Sequence, residues 1–113
     1  MKTKRFFLIT CLVLFNINLF AHGPKDITVD YNDETGKLQL TIEHPVNNTS
    51  SHYIDEIELE IDGEEVKTIT YESQTDKKNH IVEIDLPEFK DGGELEIIAK
   101  CNRIGREKIT IER

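Results

Sequence analysis

From Ile27 onward the chain repeats one pattern: short runs in which apolar and polar residues alternate with a period of two, divided by clusters of turn residues. Successive side chains of an extended strand point to opposite faces, so this alternation marks strands with one face buried and one face wet. The runs predict seven strands, at Ile27–Tyr31, Lys37–Glu43, Ile54–Ile61, Val66–Tyr71, His80–Leu86, Glu94–Cys101 and Arg106–Ile111. Leu38, Leu40 and Ile42 share a face of the second, and Val82, Ile84 and Leu86 a face of the fifth. Asp62-Gly63 is a two-residue hairpin signal between the third and fourth. Loops fall at 44–53 and 72–79, with turns at 32–36, 87–93 and 102–105. Seven short strands at near-regular spacing predict an all-β fold, an immunoglobulin-like seven-stranded antiparallel β-sandwich, rather than a helical or parallel α/β domain.

The residues ahead of the first strand obey a different rule. Lys2, Lys4 and Arg5 form a basic start, Phe6 to Phe20 an apolar stretch broken by Asn16 and Asn18, and Ala21 a small residue suited to cleavage. The stretch is too short and too polar for a membrane span, so residues 1–21 are predicted to be a signal peptide and 22–113 the mature domain. A retained anchor is the alternative, since Leu19 is large for the position it would hold before the cleavage site. A periplasmic or secreted location follows, with no membrane span after cleavage. Three of the 14 basic residues lie in the leader, leaving 11 against 22 acidic ones, a net charge of −11. That balance argues against nucleic acid or an anionic membrane as partner. Cys11 departs with the leader, so Cys101 stands alone and no internal disulfide forms. A lone thiol in an oxidising compartment is buried, shared with a second copy in a homo-oligomer, or bound to a metal.

In an antiparallel sandwich every second connection falls at the same end. The start of the domain, the 44–53 and 72–79 loops and the 102–105 turn therefore share one end, which carries His22, His44, His52, His80 and Cys101. Each has a structural reading alone: His80 in phase with Val82 as a packed strand-end ring, Cys101 in phase with Ala99 as a core thiol, His44 as a turn residue before Pro45. Together they offer imidazole and thiolate, the ligands of zinc, copper or non-haem iron. No serine nucleophile triad, paired-carboxylate spacing or glycine-rich phosphate loop is recognisable. Charges near this end balance, which suits the approach of a small anion.

Four elements carry a resemblance: His22-Gly23-Pro24, His44-Pro45, His52-Tyr53-Ile54 opening a strand, and Cys101-Asn102 with Gly105. Over most of 22–113 the chain resembles the iron domain of desulfoferrodoxin and the superoxide reductases. The resemblance implies an immunoglobulin-like fold holding one ferrous iron through four histidines and an axial cysteine thiolate, with reduction of superoxide to peroxide by an electron donor the sequence does not specify. Carried over, His22, His44, His52 and Cys101 are the expected metal ligands. Ile104 stands where the family's Cys-Asn-x-His-Gly places its fourth histidine, and Lys25 is the candidate for the family's cationic role. Cleavage after Ala21 would add the α-amine of His22, a chelate that suits copper as an alternative metal. The rival from another class is a metal-free or copper-binding sandwich module similar to the Z subunit of the thiosulfate-oxidation carrier, from which Cys101-Asn102 sets this chain apart.

Overall fold

The computed structural model describes residues 23–113. The predicted leader, its cleavage point and His22 lie outside the described residues. The described chain forms seven strands: β1 (Asp26–Asn32), β2 (Lys37–Glu43), β3 (Ile54–Ile61), β4 (Glu64–Thr70), β5 (Asn79–Asp85), β6 (Glu94–Cys101) and β7 (Arg106–Glu112). They pair antiparallel in two sheets, one in the order β1-β2-β5 and the other β4-β3-β6-β7. The predicted seven-stranded sandwich is therefore the observed architecture.

Three differences from the predicted boundaries have local causes. β4 begins at Glu64 because the hairpin turn needs only Asp62 and Gly63, both at positive φ (52° and 87°). β5 ends at Asp85 because the Leu86 amide leaves the ladder to bond the carbonyl of Gly36 at 2.7 Å. Residues Pro87–Asp91, predicted as a plain turn, form a short 3₁₀ helix, with proline at its start and Phe89 fully buried beneath it.

The core lies between the sheets. β2 contributes Leu38, Leu40 and Ile42, β3 Ile54, Ile57 and Leu59, and β6 Leu95, Ile97 and Ala99, all with no exposed surface. Burying each of the larger side chains contributes roughly 1.5–3 kcal/mol before chain entropy is counted. No disulfide assists among the described residues, so this apolar layer is what holds the loops in place.

The chain crosses between sheets at 44–53 and at 71–78, and these segments meet the 102–105 turn at one end, as strand parity requires. Backbone bonds fasten them: His44 N–H to Lys78 O at 2.9 Å, Val46 N–H to Lys77 O at 2.8 Å, Gln74 N–H to Thr49 O at 3.0 Å and Asn102 N–H to Tyr53 O at 2.9 Å. Among the described residues no helix is long and apolar enough to cross a membrane.

Candidate metal centre

His44 follows directly on the buried Ile42 face of β2, and this phase carries its ring inward, where it has no exposed surface. A buried imidazole needs partners for its nitrogens. Its Nδ1 lies 2.7 Å from Oε1 of Gln74, a buried side chain from the crossing segment. His52 arrives by a tight turn: its amide donates to Asn48 O at 3.0 Å, while Asn48 Oδ1 accepts the Ser50 amide at 2.9 Å. The two imidazole rings stand edge to face, with centroids 4.9 Å apart and an interplanar angle of 89°.

Cys101 closes β6 in phase with Leu95, Ile97 and Ala99, and so it too points between the sheets, half-buried. A β-bulge in β3 between Ile54 and Glu56 sits opposite this strand end. The turn beyond it is closed by the Cys101 amide donating to Gly105 O at 3.1 Å, with Gly105 at φ 97°. That geometry brings the Arg103 amide within 3.4 Å of Cys101 Sγ, so the backbone donates a hydrogen bond to the sulfur. Asn102 pins the turn to the His52 loop. Its Oδ1 accepts the Tyr53 amide at 2.9 Å and its Nδ2 donates to Ser51 O at 3.2 Å.

One donor atom each from His44, His52 and Cys101 then lies within 4.8 Å of the others. Metal–nitrogen bonds near 2.1 Å and metal–sulfur bonds near 2.3 Å allow donors on opposite sides of one ion to be at most ~4.4 Å apart. The 4.8 Å within which the three donors lie is a few tenths of an ångström above this. Two imidazoles and a thiolate are a donor set for a transition metal, and the residues fit one.

Of the four ligands expected from the sequence, the structure brings together His44, His52 and Cys101, while His22 falls outside the described residues. Ile104 is 60 % exposed, and Lys25 is exposed beside β1. His80 does not join the cluster. Its ring packs edge-on against Tyr71 at 4.5 Å, its Nδ1 lies 3.4 Å from Thr75 Oγ1, and its Nε2 is buried with no hydrogen-bond partner among the described residues. Burial, and secondarily the nearby His44, depress its pKa to about 4. Sequence reasoning missed Gln74, which nothing distinguishes from an ordinary loop residue until the crossing segment is folded beneath His44. Beside the cluster, an open depression of about 210 Å³ is lined by Pro45, Val46, Asn47 and His52.

No protein-family profile matches the sequence, and no curated protein matches it. Solved structures do. The superoxide reductase (1Fe-SOR) from Giardia intestinalis superposes with a TM-score of 0.56 at 16 % identity, over 82 % of this chain and 98 % of that one. The chain has the superoxide reductase fold. Superoxide reductases from Nanoarchaeum equitans (TM-score 0.46, 22 % identity, 82 % and 93 % of the two chains) and Ignicoccus hospitalis (0.45, 22 %, 80 % and 78 %) are also similar. The superoxide reductase fold seen in the Giardia protein accounts for nearly the whole described chain and agrees with the resemblance carried by the histidine and Cys-Asn motifs.

Proposed function

We propose that this protein is an exported, mononuclear non-haem iron domain with a redox role like that of the superoxide reductases. The observation that carries the reading is the convergence of His44, His52 and Cys101 at one end of a superoxide reductase fold. Iron bound there would supply one electron to superoxide, which with two protons from solvent leaves as hydrogen peroxide. The chain's own groups do the rest. Cys101 provides a thiolate, and the Arg103 amide directed at its sulfur tunes how much charge the thiolate passes on. His44 and His52 supply neutral donors from opposite ends of one crossing segment. The open depression beside His52, about 210 Å³, is smaller than the pockets of roughly 300–1,000 Å³ that hold drug-sized ligands, and it gives a diatomic anion room to approach the site. Iron is favoured by the likeness to the Giardia superoxide reductase, while the copper alternative rests on a chelate by the His22 amine, outside the described residues.

Metal analysis and an optical spectrum of the purified protein test this directly. Iron near one equivalent, with a thiolate-to-iron charge-transfer band that vanishes in Cys101→Ser, is the expected result. Loss of metal in His44→Ala and in His52→Ala should accompany it. Unchanged metal content in all three variants would place the metal elsewhere and remove the proposal's basis.

A further inference from the structure

The side chain of Gln74 is 5 % exposed and makes four hydrogen bonds to three separate segments. Its Oε1 lies 2.7 Å from His44 Nδ1 and 3.3 Å from the Ile54 amide nitrogen. Its Nε2 lies 2.7 Å from the His44 carbonyl oxygen and 3.0 Å from that of Asp76. Three of these four partners are backbone groups, whose polarity is fixed. Turning the amide over would set its NH₂ against the Ile54 N–H and its oxygen against two carbonyl oxygens, leaving buried groups of like polarity face to face. The amide therefore has one tolerable orientation, with Oε1 toward His44. Unlike a hydroxyl or a protonated carboxyl, that oxygen accepts and never donates, so His44 Nδ1 must carry the proton.

We infer that Gln74 is a positioning residue that locks His44 in its Nδ1–H tautomer, leaving the Nε2 lone pair as the only one this imidazole can offer a metal. The inference deepens the metal-site reading above and rests on it for its function, although the tautomer itself is set in the metal-free protein. Gln74 also holds both ends of the crossing segment at once. It grips His44 at the end of β2 and Ile54 at the start of β3, and its amide bonds Thr49 between them. The ring is thus fixed in orientation as well as in protonation, which is what an outer partner of a metal-binding histidine contributes.

The experiment is ¹⁵N–¹H NMR of the side-chain nitrogens of His44 in the metal-free protein at neutral pH, together with Zn²⁺ titration as a redox-silent probe. Wild-type protein should show protonated Nδ1 and bare Nε2. Gln74→Met keeps the volume but removes both polar ends. It should give a mixture of tautomers and bind Zn²⁺ about 10–100-fold more weakly. Gln74→Glu keeps an acceptor for Nδ1–H and should retain the wild-type tautomer, which separates orientation of the ring from mere packing. A proton on Nε2 in the wild type overturns the inference whether or not any variant folds. So does a folded Gln74→Met protein with unchanged tautomer. Absence of Zn²⁺ and iron binding by wild-type protein with the Nδ1–H tautomer intact would instead count against the metal-site reading, and leave the hold of Gln74 on His44 established.

Discussion

His80 shows how a residue beside a candidate centre can be structural and still govern stability. Its ring is 4 % exposed, and burial holds its pKa at about 4, against 6.5 for a free imidazole. Between those values the unfolded chain takes up a proton that the folded chain refuses, so stability must fall as pH drops through that window. The full effect, reached near pH 4, is about 3 kcal/mol. Urea unfolding of the metal-free protein at pH 7 and at pH 4.5 should show most of this loss, and His80→Phe, which keeps the edge-on packing against Tyr71, should flatten the slope. An unchanged slope in that variant would assign the loss to other groups. Ile104 makes the opposite case. At 60 % exposure it anchors nothing, so Ile104→His should change stability by less than about 0.5 kcal/mol. It stands at the position that the superoxide reductase resemblance assigns to a further histidine, so iron affinity should rise, within the ~10–100-fold range of changes to a metal's ligand environment. Isothermal titration with ferrous iron under anaerobic conditions reads this directly, and no gain in a folded variant would separate this turn from the metal.

At the scale of elements, the site depends on a turn that is fastened to a neighbouring loop rather than to the core. Asn102 accepts from the Tyr53 amide, donates to the Ser51 carbonyl and bonds Tyr53 again through its own backbone. Asn102→Ala removes the side-chain bonds but keeps the backbone one. The variant should lose about 1–3 kcal/mol, because the Tyr53 amide is left to find water while the Ser51 carbonyl keeps only the Arg103 Nε–H at 3.3 Å. It should also bind metal more weakly, since Cys101 and His52 are no longer held to a common distance. Asn102→Asp retains only the acceptor and should fall between the two. Equal metal affinity in all three proteins would show that the strand ends, not the clamp, set the ligand spacing.

For the whole molecule, the proposed ligands come from the end of β2, the following loop and the end of β6, so a metal there would tie the two sheets together across their open end. Binding confined to the folded state stabilises it by about 2.7 kcal/mol when free metal is a hundredfold above its dissociation constant. Chelation should therefore lower the denaturant midpoint without changing the slope, and Cys101→Ser should abolish the difference between metal-loaded and stripped protein. Export is tested by intact mass: the protein recovered outside the cytoplasm should begin at His22. Retention of residues 1–21 would make the leader an anchor and withdraw the His22 amine from any chelate.

Strand number, the sandwich and the residues of its core follow from the sequence alone, because a period-two pattern such as Leu38, Leu40, Ile42 buries one face whichever partner strand lies opposite. Strand parity also sorts His44, His52 and Cys101 to one end, since each antiparallel connection reverses direction. The 3₁₀ helix at Pro87–Asp91 was not legible, because it depends on Phe89 finding space beneath Leu86 and Tyr31, a long-range contact. Whether sorted residues meet is likewise beyond a local pattern. Only the tertiary structure decides that the donors of His44, His52 and Cys101 come within 4.8 Å, that His80 stays apart against Tyr71, and that Gln74 is buried beneath His44. Gln74 shows the reason: a side chain whose four hydrogen bonds reach residues 44, 54 and 76 has its role written in the folded distances between segments, not in its neighbours along the chain.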